Sequence, residues 1–171
     1  SIVRTAAFAD KDVAYDGSST VISKAVSVSG VSLSGTDADN YSVASTGNTT
    51  AKITPKVLTV TYTGVNKMYD GDLVGAVTTS DDRVVGDVFS VNWSASYADK
   101  NVGNAKPLSV TGVSLSNPAG ATTVDATNYS VVSTGSTVAD ITPRTLSVTY
   151  TGVTKEYDGL TVASVTTSDN R

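Results

Sequence analysis

No cysteine and no histidine occur anywhere in this chain of 171 residues. The first absence excludes disulfides, thiol nucleophiles and thiolate metal sites. The second removes the commonest general base and the commonest metal ligand. Glutamate occurs once, at Glu156, so the acidic residues are almost all aspartates. Charged residues make up only 16% of the chain, its 12 basic residues are scattered, and the net charge is −4. Phosphate backbones are held by clustered Lys and Arg, so nucleic acid is not an expected partner. No apolar run approaches the roughly 18 residues that a membrane-spanning helix needs, so no membrane insertion is expected. Serines are plentiful, but none sits in a nucleophile elbow or in a recurring Ser-x-x-Lys arrangement. The chain is therefore not expected to be an enzyme, nor to need a cofactor.

What is abundant points the other way. The strong helix formers are sparse, whereas Thr, Ser, Val and Gly dominate, which is the composition of strands and turns. Above all, the chain repeats itself with a period of 88 residues: LTVTYTGVNKMYDG at Leu58–Gly71 returns as LSVTYTGVTKEYDG at Leu146–Gly159. The same offset carries Asn40-Tyr41-Ser42-Val43 onto Asn128-Tyr129-Ser130-Val131, and Ile53-Thr54-Pro55 onto Ile141-Thr142-Pro143. A period this long means a small domain copied in tandem, each copy large enough to close its own core. Tandem copies serve reach, avidity or spacing more readily than catalysis.

Alternation with period two marks the strands. Phe89, Val91, Trp93, Ala95 and Tyr97 are expected to face a core, with Ser90, Asn92, Ser94 and Ser96 in water. Leu58, Val60 and Tyr62 are expected inside, opposite Thr59, Thr61 and Thr63, and Leu146, Val148 and Tyr150 repeat this. Two segments change phase at a glycine, Gly30 and Gly112, which predicts a bulge or sharp bend there. A hairpin is expected from Tyr129–Ser133 to Ala139–Thr142, turning at Thr134-Gly135-Ser136, giving about six strands per copy.

Ser1–Asp10 aligns with Ser90–Asp99, and Arg171 with Arg83, so the chain opens in mid-repeat, as expected of a piece of something longer. Between Val13 and Gly30 the first copy holds seven extra residues, read as a lengthened hairpin. Breaks after Pro55 and Pro143 divide the chain into the end of one repeat (1–55), a complete repeat (56–143) and the start of a third (144–171). Breaks in the polar Ser80–Arg83 stretch instead give spatial units 1–83 and 84–171.

The most specific motif is Lys67-Met68-Tyr69-Asp70-Gly71, repeated as Lys155-Glu156-Tyr157-Asp158-Gly159. Asp bonds a backbone amide two residues on and Gly accepts positive φ, so the pair makes a turn at a strand end. The Tyr69 or Tyr157 ring is expected to lie on the core with its hydroxyl at the rim. Asp37, Asp39 and Asn40 have the alternating oxygens of a weak calcium site, but only Asp125 and Asn128 of this set recur and no bidentate Glu follows. Asx capping is the plainer reading of these three, and no metal is expected. Asp81-Asp82 reads as a solvated loop, and Trp93 as a core residue more than a sugar platform. An isopeptide crosslink would draw on Lys67 and Lys155 or Lys11 and Lys100, with only Asp to shuttle its proton.

The two lysine-led motifs follow a Thr-rich strand. With Phe8-Ala9-Asp10-Lys11, Val28-Ser29-Gly30, Leu33-Ser34-Gly35, Asp37–Tyr41 and Ala51–Pro55, they resemble in order the YDG repeats of bacterial surface adhesins. Those repeats are relatives of the mostly-β-grasp (MBG) modules of filamentous-haemagglutinin-like proteins. The resemblance implies an all-β, β-grasp-like fold, with tandem small modules arranged as an elongated rod. It also implies extracellular, cell-surface stalk repeats that project a distal binding domain for cell adhesion or biofilm formation. Neighbouring repeats of the same chain are then the expected partners. The alternative, that the repeats themselves bind polysaccharide or host glycans, stays open.

Overall fold

The computed structural model describes residues 1–43 and 47–171, and all regular structure among them is β apart from two short 3-10 turns. Three strands come from the first copy: β1 (Ile2–Phe8), β2 (Lys24–Leu33) and β3 (Asn48–Ala51), an antiparallel sheet in that order. Eight follow in the middle copy: β4 (Lys56–Leu58), β5 (Val60–Val65), β6 (Lys67–Met68), β7 (Val74–Asp81), β8 (Ser90–Tyr97), β9 (Gly103–Ser116), β10 (Tyr129–Val131) and β11 (Thr134–Thr142). The third copy contributes one hairpin, β12 (Val148–Val153) and β13 (Ser164–Asp169).

The middle copy builds a six-stranded sheet in the order β5-β7-β8-β9-β11-β6. Its two edges are the same piece of chain. β5 forms one edge, and two residues later β6 pairs in parallel with β11 at the other, Ile141 opposite Lys67. The sheet therefore curls almost shut, removing the open edges that invite aggregation. Asn66, at the crossing, stitches the seam: its Oδ1 accepts from the Asp140 amide at 2.7 Å. Close approach across the seam needs residues without side chains. A Cβ at Gly64 would collide with the Val138 carbonyl and lie 2.8 Å from the Ala139 Cβ, and one at Gly135 would enter the Tyr62 ring.

Alternation puts the apolar faces inside this barrel. Val77, Ala95, Tyr97, Leu108, Val110, Val113, Ala139 and Ile141 form one buried cluster, flanked by Tyr62, Tyr69, Val91, Trp93 and Val131. Leu58, Phe89, Ala126 and Tyr129 form a second at one end, with the Phe89 and Tyr129 rings 4.9 Å apart. Ser90, Asn92, Ser94 and Ser96 are exposed, as their phase requires. Both phase-shift glycines sit at bulges in the left-handed region, Gly30 at φ 61° opposite Arg4 and Gly112 at φ 63° opposite Trp93.

Three expectations need correction. Thr134-Gly135-Ser136 is not a turn: these residues open β11, paired with Thr111, Val110 and Ser109 of β9, while β10 pairs in parallel with β4. Gly135 is there for its missing Cβ and not for positive φ. The middle copy accordingly has eight strands and not six. Leu146, Val148 and Tyr150 repeat the pattern of Leu58, Val60 and Tyr62 but are exposed, because among the described residues no strands lie over that hairpin. The extra residues of the first copy do form a small hairpin, with Tyr15 bridged to Val21 and the Ser18 and Thr20 amides donating to Asp16 Oδ1.

Candidate functional site at the turns and joints of the repeat

The Lys-x-Tyr-Asp-Gly motif folds into a turn tied by its own lysine. Gly71 takes φ 88° and Gly159 φ 73°, conformations that a side chain would strain. The Asp72 amide donates to Asp70 Oδ1 at 3.1 Å, and the Leu160 amide to Asp158 Oδ1 at 2.9 Å. Lys67 leaves β6 and places its Nζ 2.8 Å from both Asp70 and Asp72, also donating to the Val74 carbonyl at 2.9 Å. Partial burial alone would lower the Lys67 pKa, but the two carboxylates outweigh it and raise the value. The Lys67 ammonium and the Asp72 amide together hold Asp70 below the usual carboxylate range. Tyr69 lies half-buried on the main cluster, its amide donating to the Thr142 carbonyl at 2.8 Å. Tyr157, in the uncovered third copy, is fully exposed.

The second constellation joins the first copy to the middle one. Lys11 Nζ lies 2.6 Å from Asp87 and 3.1 Å from Asp125, whose side chains are almost wholly buried. Asp125 Oδ2 accepts from the Val88 amide, and Asp87 Oδ2 accepts from the Tyr129 hydroxyl at 2.7 Å. The Val88 amide and the Lys11 ammonium lower the Asp125 pKa; Lys11 and then Tyr129 lower that of Asp87. The Lys11 value rises in turn, driven by those two carboxylates. Beside this latch Val13 is buried, and its amide donates to Asn128 Oδ1 at 2.8 Å. Asn128 Nδ2 donates to Asp12 Oδ1 at 2.8 Å, and the Tyr15 hydroxyl donates to the Thr127 carbonyl. The arrangement is chemically a fastener: the Lys11 ammonium and both oxygens of Asp87 and of Asp125 are spent on other groups of the chain.

The first-copy counterparts of Asp125 and Asn128 are Asp37 and Asn40. They sit with Asp39 at an exposed 3-10 turn held by backbone bonds, where Asp37 makes no side-chain cap bond. Among the described residues no group of three or more His, Cys, Asp or Glu is placed to hold a metal ion. Asp81 is not part of a solvated loop. It ends β7 with a buried carboxylate against Arg83 at 2.7 Å, and the guanidinium stacks 3.9 Å over the Phe89 ring. Asp82 Oδ1 caps the Thr59 amide at 2.8 Å. Trp93 packs on the main cluster.

Val13 and Asp87 were missed as site residues, and Lys11, named only as a crosslink candidate, was not expected to join two copies. The available signal was recurrence without a strand role: Lys11-Asp12-Val13 returns as Lys100-Asn101-Val102, and Asp37 with Asn40 returns as Asp125 with Asn128. Comparison with curated proteins and with solved structures returns no match. A family model does match, from residue 54 to residue 137, the stretch that spans the whole seam-closed sheet except the end of β11. This stretch of the chain is a YDG domain.

Proposed function

We propose that the chain is a run of stalk repeats from a large secreted or surface-anchored bacterial adhesin, with a mechanical role and no catalytic one. Its partners are then the neighbouring repeats, its place is the cell surface, and its task is to hold a distal binding domain away from the cell. Repeat boundaries after Pro55 and Pro143 belong to this reading, as does an elongated arrangement of the copies. The observation that carries it is the joint. A lysine, an asparagine, two aspartates and a buried valine are spent on fixing one copy against the next, and a binding or catalytic module has no such need.

Small-angle scattering of the monomeric chain tests the reading. A compact globule of this length has a radius of gyration of about 15.5 Å. A value well above that supports the stalk, and one near it overturns it. Selective binding to a glycan array would instead favour repeats that grip polysaccharide themselves.

A further inference from the structure

The end cluster of the middle copy is held by two carboxylates of its own and by one positive charge that it does not own. Leu58, Phe89, Ala126 and Tyr129 make up that cluster. Asp87 Oδ2 accepts from the Tyr129 hydroxyl at 2.7 Å, and Asp125 Oδ2 accepts from the amide of Val88, next to Phe89, at 3.0 Å. Asp125 also opens the 3-10 turn Asp125–Asn128, whose second residue is the buried Ala126. The other oxygen of each carboxylate faces Lys11 Nζ, and the two side chains are only 8% and 5% exposed.

No second cation is at hand. Among the described residues no ammonium or guanidinium other than Lys11 lies within 4 Å of either carboxylate. Arg83, in the link before β8, is turned to Asp81 and to the Phe89 carbonyl, and Lys56 of β4 is turned to Asp82. From the first copy, Asp12 brings a further negative charge, bonded to Asn128, and Lys24 is tied to Asp10. Tyr15 and Tyr129 are neutral donors. Lys11 and then Tyr129 lower the Asp87 pKa, whereas the charge on Asp125 pushes it up. Without Lys11, two buried like charges would face each other at the mouth of the cluster.

We propose that the middle copy is closed conditionally: its end cluster seats fully only when the preceding copy delivers the Lys11 ammonium to Asp87 and Asp125. The first copy thus completes the fold of the one that follows it. The dependence runs one way. The Lys11 side chain is 66% exposed, so without its partners it would simply be solvated, whereas the aspartates would be left as unpaired buried charge. Order along the chain then sets the order in which copies close. This rests on the joint and holds whether or not the stalk role does.

Urea unfolding of the whole chain at pH 7 and at pH 5, read by Trp93 in the middle barrel, is the test. Lys11→Met keeps the stem and strips the charge. At pH 7 it should lower the folded-to-unfolded ratio of the middle copy about tenfold. At pH 5 part of that loss should return. One carboxylate of an unpaired pair has a folded-state pKa above its unfolded value of about 3.9, and the penalty lifts as pH falls through the raised value. The wild type, whose two carboxylates titrate below 3.8, should be flat over this range. The chain has no histidine, so no other side chain has an ordinary pKa between 5 and 7. Asp125→Asn keeps an acceptor for the Val88 amide and removes one charge. Added to Lys11→Met, it should restore stability at pH 7 and erase the pH dependence, and if Lys11→Met alone does not fold, this rescue decides. A Lys11→Met chain as stable as the wild type, or a loss that neither pH 5 nor Asp125→Asn relieves, would overturn the inference.

Discussion

Hairpins β5–β7 and β12–β13 are nearly the same sequence folded in two settings. Val60 opposes Asp81 and Val65 opposes Ala76 in one; Val148 opposes Asp169 and Val153 opposes Ser164 in the other. Lys67 reaches Asp70 and Lys155 reaches Asp158, each at 2.8 Å, and Arg83 and Arg171 each clamp an aspartate two residues earlier at 2.7 Å. Yet Val77 is 5% exposed and its counterpart Val165 is 56% exposed. Pairing and turn chemistry are therefore written inside the hairpin, in Thr-rich alternation and local Lys–Asp ties. Burial is supplied by strands that come later in the repeat. The stabilising weight of any one position should then depend on which copy it sits in, although its local geometry does not.

The sharpest way to break this comparison is at the seam. Gly64→Val should cost about 3 kcal/mol, since its methyls meet backbone that cannot move aside. Gly152→Val should leave the dilute chain's stability unchanged. Urea unfolding followed by fluorescence of Trp93, the only tryptophan, reports on the middle barrel directly. Equal effects at the two glycines would refute the distinction.

A gentler probe truncates the matched valines. Val77→Ala should lower stability by about 2 kcal/mol through lost burial and the cavity left behind, and Val165→Ala by less than about 0.5 kcal/mol. The same unfolding curves measure both.

Next in size is the lysine. Lys67→Met removes an ammonium that serves two carboxylates and the Val74 carbonyl, and should cost about 1 kcal/mol. Lys155→Met should leave the melting of the barrel where it was.

Smallest of all is the response to acid, and here the two hairpins should agree. Asp70 is held down by Lys67 and the Asp72 amide, Asp158 by Lys155 and the Leu160 amide, both below the ordinary value of 3.8. A carboxylate with a depressed folded-state pKa adds stability that is present above its unfolded value and lost as pH falls through the folded one. The amide signals of Asp72 and Leu160 should therefore titrate together in an NMR series, with midpoints under 3.8. Separate midpoints would mean that the covering strands, and not the turn, set these values.

Much of this was legible from residue order. The repeat, the inward faces of β5 and β8, the bulges at Gly30 and Gly112 and the Asp–Gly turns all follow from local rules, because periodicity and turn chemistry act within a few residues. What escaped was partnership. Alternation says which face of Thr134–Thr142 is apolar but not that its neighbours are β9 and β6. A glycine required for a missing Cβ looks the same in sequence as one required for positive φ, so Gly135 read as a turn. Lys11 and Asp125 are 114 residues apart, and nothing local to either one names the other.

The crossing at Asn66 has a consequence for load. β6 runs parallel to β11, and β5 leads straight into β6, so the entering and leaving chains of the middle copy lie side by side and point the same way. Tension applied at Lys56 and at Pro143 would drag these neighbours lengthwise past each other. The pairing of Lys67 and Met68 with Ile141 and Thr142, the Asn66–Asp140 bonds and the glycine contacts at the seam would then yield together and not one after another. A barrel closed in this way resists being pulled open in shear, even where its thermodynamic stability is ordinary.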